Sequence, residues 1–139
     1  MKKKLIAAAM PVVIIWFGLA VTALGDQDST RVIAVSAQEA ADLIDEHNGN
    51  DKFAILDIRT PGEFQSGHLA KSIPIDLYSP TFADKLSRLD KTKTYLVYCR
   101  TGNRSTKSLQ LFKKLKFQKV YHMTSGISDW KSKRFAVVK

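Results

Sequence analysis

Apolar and polar positions alternate along this chain between short runs and helical stripes. Val32-Ile33-Ala34-Val35 is a short apolar run that predicts a strand at a sheet edge. Ser36-Ala37-Gln38-Glu39 has the form of a capping box, and Ala40, Leu43, Ile44 and His47 follow it at helical spacing. Asn48-Gly49-Asn50-Asp51 ends that helix in a turn. Phe53-Ala54-Ile55-Leu56 runs unbroken to a charge at Asp57, the pattern of a strand buried on both faces. Ser72-Ile73-Pro74-Ile75 predicts a second short strand. Ser79-Pro80 supplies an N-cap and a first-turn proline for a helix whose stripe is Phe82, Leu86 and Leu89. Thr94-Tyr95-Leu96-Val97-Tyr98 is the strongest strand signal. Helical spacing returns at Leu109, Phe112 and Leu115; Val120-Tyr121-His122-Met123 predicts another strand. A short helix over 126–131 and a closing extended piece over 135–138 complete the pattern. Strands alternating with helices predict an α/β fold with a mostly parallel sheet.

The first 25 residues follow a different pattern. Lys2-Lys3-Lys4 precede an uncharged run from Leu5 to Leu24, and Ala23-Leu24-Gly25 stands before Asp26. This layout predicts a secretory signal cleaved after Gly25. The alternative is a retained inner-membrane anchor, since about 20 apolar residues span a bilayer. Either places the domain on the export side, in the periplasm of a bacterium. No cysteine stands directly after the run, which argues against a lipidated anchor. Residues 26–31 form a short polar leader, and residues 32–139 make one domain, expected to be a monomer.

Among 139 residues there is one cysteine, Cys99, so no disulfide can form within the chain. The three histidines are scattered, so no zinc site or other cofactor is expected. Charge is uneven. Residues 26–90 hold 6 basic and 12 acidic residues, a net of −6; residues 91–139 hold 13 basic and 1 acidic, a net of +12. Such a field draws small anions toward the C-terminal half. Lys107, Lys113, Lys114 and Lys116, however, fall on one amphipathic segment and are expected to form a solvated face. Nucleic acid is not an expected partner, because aromatic residues are not interleaved with the basic ones.

Cys99 follows the strand run directly, where open parallel sheets place their ligands. The sequence Cys99-Arg100-Thr101-Gly102-Asn103-Arg104-Ser105 then leads into a helix. A strand-to-helix turn aims backbone N–H groups inward, and the helix start adds positive potential there. Gly102 and Asn103 suit the tight backbone, while Arg100 and Arg104 add charge. All of this favours thiolate over thiol at Cys99. Phosphatase-type loops need a cysteine, five residues and then an arginine. Here Arg104 falls one position short and Ser105 stands in its place, so the smaller ring suits one added sulfur atom.

The loop resembles the active-site loop of the rhodanese-like sulfurtransferases. A second block, Asp57-Ile58-Arg59-Thr60-Pro61-Gly62-Glu63-Phe64 through Gly67-His68-Leu69, followed by Ile73-Pro74-Ile75, is similar to that family's Asp-x-Arg, Glu-Phe and Gly-His-Leu signature. Gly126-Ile127-Ser128-Asp129-Trp130 is a weaker third match. Ala70-Lys71-Ser72 and Ser125-Gly126 depart from the family's usual Gly-Ala and Gly-Gly. The resemblance implies a central sheet of about five strands with helices on both faces. It also implies a sulfur carried as a Cys99 persulfide from a donor such as thiosulfate to cyanide or a thiol. Arg100, Thr101, Gly102, Asn103, Arg104 and Ser105 would bind the anionic donor and the persulfide. With no second cysteine, the acceptor must be a separate molecule. A buried structural ion pair involving Asp57, Arg59 or Glu63 is expected, the other reading being a charged wall at the site, and His68 is expected to belong to a scaffold turn. His122 is expected to be an ordinary strand residue and Trp130 a core residue. A cysteine phosphatase or arsenate reductase, and a non-catalytic rhodanese-type binding module, are the competing readings.

Overall fold

The structure is a computed structural model that describes residues 29–139. The run from Leu5 to Leu24 and its predicted cleavage site lie outside the described residues. Five strands form one sheet in the order β1-β5-β4-β2-β3. They are β1 (Arg31–Val35), β2 (Phe53–Asp57), β3 (Ser72–Pro74), β4 (Thr94–Tyr98) and β5 (Lys119–Met123). Every adjacent pair is parallel, and β1 is at an edge as its short run predicts. β1 starts at Arg31, one residue into the segment expected to be leader.

The helices are α1 (Ala37–Glu46), α2 (Pro61–Gln65), α3 (Phe82–Ser87), α4 (Asn103–Lys114) and α5 (Gly126–Ser132). Side chains alternate across each strand, so the sheet builds two cores. Leu56, Tyr95, Val97, Cys99 and Val120 join Phe82 and Leu86 of α3 and Phe112 of α4 in one core. Ile55, Leu96, Tyr98 and Met123 join Ala37 and Ala40 of α1 and Ile127 and Trp130 of α5 in the other. Ile55 and Leu56 therefore face opposite cores, which is why β2 reads as an unbroken apolar run. Trp130 is a core residue as expected, its ring tilted against Phe135, and it donates Nε1–H to the Ala136 carbonyl at 3.0 Å.

The capping box at Ser36 and Glu39 forms as the sequence predicts. Three other expectations change. Ser79 does not cap α3: its hydroxyl accepts the Thr81 N–H at 3.2 Å and its carbonyl accepts the Phe82 N–H at 3.0 Å. Ser79 and Pro80 thus make a turn, and the helix begins after Thr81. Residues 60–65, read above only as part of a motif, form a helix: Thr60 and Glu63 make a second capping box with Pro61 in the first turn. The closing piece over 135–138 is not a full strand; it makes one antiparallel bridge, between His68 and Val138.

Because the strands are parallel, the loops after β2 and β4 leave the sheet side by side. Asp57 lies opposite Tyr98 in the register, and the Tyr98 carbonyl accepts the Ile58 N–H at 3.1 Å. The segment after β3 returns to the same end, where Ile75 N–H bonds the Asp57 carbonyl and Leu77 N–H bonds the Ile58 carbonyl. This brings Tyr78 beside the β2 and β4 loops.

Candidate active site

Cys99 is the first residue beyond β4, the middle strand of the sheet. Its side chain is buried, 1% exposed, on the α4 side. The chain then curls around the sulfur before entering α4. Gly102 makes this curl possible: its φ is +94°, and a β-carbon there would lie 1.8 Å from the Thr124 carbonyl oxygen. Its N–H donates to Cys99 Sγ at 3.1 Å.

The outer side of the loop is fixed by α5. The Cys99 carbonyl accepts the Ile127 N–H at 2.9 Å, and the Arg100 carbonyl accepts the Ser128 N–H at 3.0 Å. With those carbonyls turned toward α5, the loop amides are left to face the sulfur. Gly126 is required for the approach, since a β-carbon on it would lie 2.4 Å from the Arg100 carbonyl oxygen. The third sequence block therefore clamps the loop in place.

Burial pushes the Cys99 thiol up. Hydrogen bonds from the Ser105 hydroxyl and from the Ser105, Thr101 and Gly102 amides outweigh that and hold it below its ordinary value. Ser105 is fully buried, with Oγ 3.5 Å from Cys99 Sγ and 2.8 Å from His122 Nε2. His122, expected to be an ordinary strand residue, is instead buried beside the loop. The parallel register sets Val97 of β4 against His122 of β5, two residues before Cys99. Burial holds its imidazole below the ordinary histidine range, and a hydrogen bond to the Gly102 carbonyl opposes this in part.

Arg104 does not point freely at the sulfur. It grips Glu63 at two points, Nη1 to Oε2 at 2.7 Å and Nη2 to Oε1 at 2.6 Å. Glu63 also accepts from the Thr60 N–H and hydroxyl. The Arg104 guanidinium, with these hydrogen bonds, outweighs burial and holds the Glu63 carboxyl down at about 2. The expected structural ion pair does form, between Asp57 and Arg59: Nη2 to Oδ2 is 2.6 Å, and both side chains are buried. Tyr98 donates its hydroxyl to Asp57 Oδ2 at 2.6 Å and accepts the Leu69 N–H at 3.1 Å. His68 sits in the scaffold turn, stacked on Phe64 at 3.6 Å with Nδ1 3.0 Å from the Phe64 carbonyl oxygen.

Over the loop lies a cleft of about 370 Å³, lined by Thr60, Glu63, Tyr78, Arg100, Thr101, Asn103, Arg104 and Lys107. Arg100, Thr101, Asn103 and Lys107 are exposed there, as is Tyr78. Lys107 thus lines the cleft as well as facing solvent. Another cleft, of about 390 Å³, lies by the α1 C-terminus and Phe53, at the other end of β2, with no hydroxyl or thiol in its lining. The sequence reading found Cys99 and its loop but missed His122, Tyr78 and the clamp from α5.

Comparison with known proteins agrees with this geometry. The family model for the rhodanese-like domain matches residues 36–133. A relative in Mycobacterium tuberculosis, named "Probable adenylyltransferase/sulfurtransferase MoeZ", is 32% identical over 98 residues. The match covers 69% of this chain but only 24% of that protein, so the chain spans about a quarter of its length. Thiosulfate sulfurtransferase GlpE of Pseudomonas aeruginosa is 33% identical over 78 residues, covering 56% of this chain and 69% of GlpE. Among solved structures, the crystal structure of a rhodanese-related protein from Thermoplasma volcanium is similar with a TM-score of 0.63 at 26% identity. That match covers 76% of this chain and 97% of the other. The fold, the loop and these likenesses agree: the chain belongs to the rhodanese-like domain family.

Proposed function

We propose that this protein is a sulfurtransferase that carries sulfane sulfur as a persulfide on Cys99. The observation that carries the reading is the ring of donors on Cys99 Sγ: backbone amides of the loop together with the Ser105 hydroxyl. Such a ring stabilises a thiolate before reaction and the terminal sulfur's charge after it. The Cys99 thiolate attacks the outer sulfur of a donor such as thiosulfate. The donor's S–S bond breaks, its electron pair leaves with sulfite, and Cys99 keeps the sulfur as a persulfide. A nucleophilic acceptor, cyanide or an external thiolate, then attacks the terminal sulfur and Cys99 leaves as thiolate. No external oxidant or reductant is needed. Cys99 is the one cysteine, so the acceptor comes from another molecule.

Arg104 is neutralised by Glu63, so steering of the anionic donor falls mainly to Arg100 and Lys107 at the cleft. Phosphate transfer is disfavoured, because the ring is one residue short and its arginine is engaged elsewhere. The predicted N-terminal signal or anchor supports placing the transfer on the export side of a membrane. The test is steady-state: thiosulfate and cyanide are supplied, and thiocyanate is measured beside turnover of an aryl phosphate. Thiocyanate without phosphate release supports the reading. Aryl phosphate turnover without thiocyanate replaces it with a phosphatase, and silence in both assays with the binding module.

A further inference from the structure

Ser105 has one hydroxyl proton and three neighbours that could receive it. Gly102 O lies at 2.9 Å, His122 Nε2 at 2.8 Å and Cys99 Sγ at 3.5 Å. Only the bond to sulfur helps the thiolate, so something must choose between them. A carbonyl oxygen has two lone pairs. Gly102 O already accepts the Thr106 N–H at 2.9 Å and the Thr106 hydroxyl at 2.9 Å. The remaining competitor is the imidazole. If Nε2 lacks a proton it accepts from Ser105 and takes the proton from the sulfur. If Nε2 carries one it donates to Ser105 Oγ and leaves the hydroxyl free for Sγ.

We propose that His122 is a positioning residue for sulfur transfer: its imidazole donates to Ser105 Oγ and so turns the Ser105 hydroxyl proton onto Cys99 Sγ. Once the Ser105 proton is on Sγ, the 2.8 Å contact between Oγ and Nε2 calls for a proton on the ring nitrogen, since two facing lone pairs would repel. Ser105 is fully buried and His122 nearly so, at 5% exposure, so the chain is shielded from competing water. Arg104 is the charged group that acts on the sulfur, and Glu63 neutralises it. The His122–Ser105–Cys99 chain joins β5, α4 and the β4 loop. It rests on Cys99 being the working nucleophile, yet it concerns thiolate stability alone and can be read without any sulfur donor.

The test is the rate of Cys99 alkylation by iodoacetamide against pH, on the full-length chain. His122→Gln places an amide at the reach of Nε2; His122→Asn has the same amide one methylene short. His122→Asn is expected to slow alkylation at neutral pH about three- to tenfold and to raise the midpoint of the pH profile by about half to one unit. His122→Gln should stay within about twofold of wild type, because it can still donate. Ser105→Ala should match His122→Asn, and the double variant should be no slower than Ser105→Ala, since both act through one proton. Far-ultraviolet circular dichroism checks folding of each variant. Equal slowing in the Gln and Asn variants overturns the proposal, as does a Ser105→Ala profile identical to wild type. A shifted alkylation profile with no thiocyanate formed in the wild type would leave this chain standing and remove the sulfurtransferase reading.

Discussion

Glu63 and Arg104 are 41 residues apart in the chain and meet through two hydrogen bonds of 2.7 and 2.6 Å. Glu63 lies in α2, the helix that follows β2, and Arg104 in the first turn of α4, so the pair joins the two segments that border the cleft. It fixes Arg104 in a direction along the loop. It also removes from the site most of the charge that Arg104 would otherwise present.

This pair makes acid stability depend on Glu63. The carboxyl sits at about 2 in the folded chain against an ordinary 4.5, so the unfolded state binds the proton more readily. Its contribution is present above about pH 4.5 and is lost as pH falls toward 2. Urea midpoints measured across that range should fall in the wild type and fall less steeply in Glu63→Gln. At pH 7 that variant should be less stable by about 1–3 kcal/mol, the range for lost charge-assisted hydrogen bonds.

The Asp57–Arg59–Tyr98 network should behave as structure. Both charged side chains are buried, and Arg59 also donates to the Gly67 carbonyl at 2.9 Å. Asp57→Ala strands a buried guanidinium and should cost about 3–5 kcal/mol in denaturant titration. Tyr98→Phe should cost about 1–3 kcal/mol, because the Leu69 N–H loses its partner. The folded fraction of Tyr98→Phe should keep the wild-type kcat.

Arg100→Ala should do the reverse. The side chain is exposed on the cleft and forms no ion pair among the described residues. Stability should stay within about 0.5 kcal/mol of wild type. The KM for thiosulfate should rise severalfold, more at low salt than at high, as expected for a partly screened charge.

Gly102→Ala meets both a backbone and a packing obstacle. The residue sits at φ +94°, and its β-carbon would overlap the Thr124 carbonyl. A loss of about 3 kcal/mol or more is expected in urea denaturation, above the usual cost of a misplaced alanine. A wild-type denaturation curve would mean that the loop does not pass this close to Thr124.

What could be read in the sequence was local. The capping box at Ser36, the strand running into Cys99 and the glycine of the loop depend on neighbours within a few positions. Thr60-Pro61-Gly62-Glu63 carried an equally local signal for α2, a capping box with proline in the first turn, and could have been read. Arg104 looked like a free cation because its partner lies far off in the chain. His122 was hidden for a related reason: its place beside Ser105 follows from β5 lying next to β4 in parallel register. A clue was present in Val120-Tyr121-His122, where period two puts His122 on the face of Val120, and Val120 shares the core that holds Cys99. Ser79 misled because its hydroxyl closes a turn on Thr81 instead of capping a helix. The clamp from Gly126 depends on the chain passing the loop at close range, which no spacing in the sequence reveals.

The most direct measurement is the mass of the intact protein after incubation with thiosulfate, followed by addition of cyanide. The account predicts a gain of one sulfur atom, located on Cys99, that cyanide removes with release of thiocyanate. Cys99→Ser should fold normally and gain nothing. A wild-type chain whose mass stays unchanged with thiosulfate and that forms no thiocyanate would contradict Cys99 as a sulfur carrier.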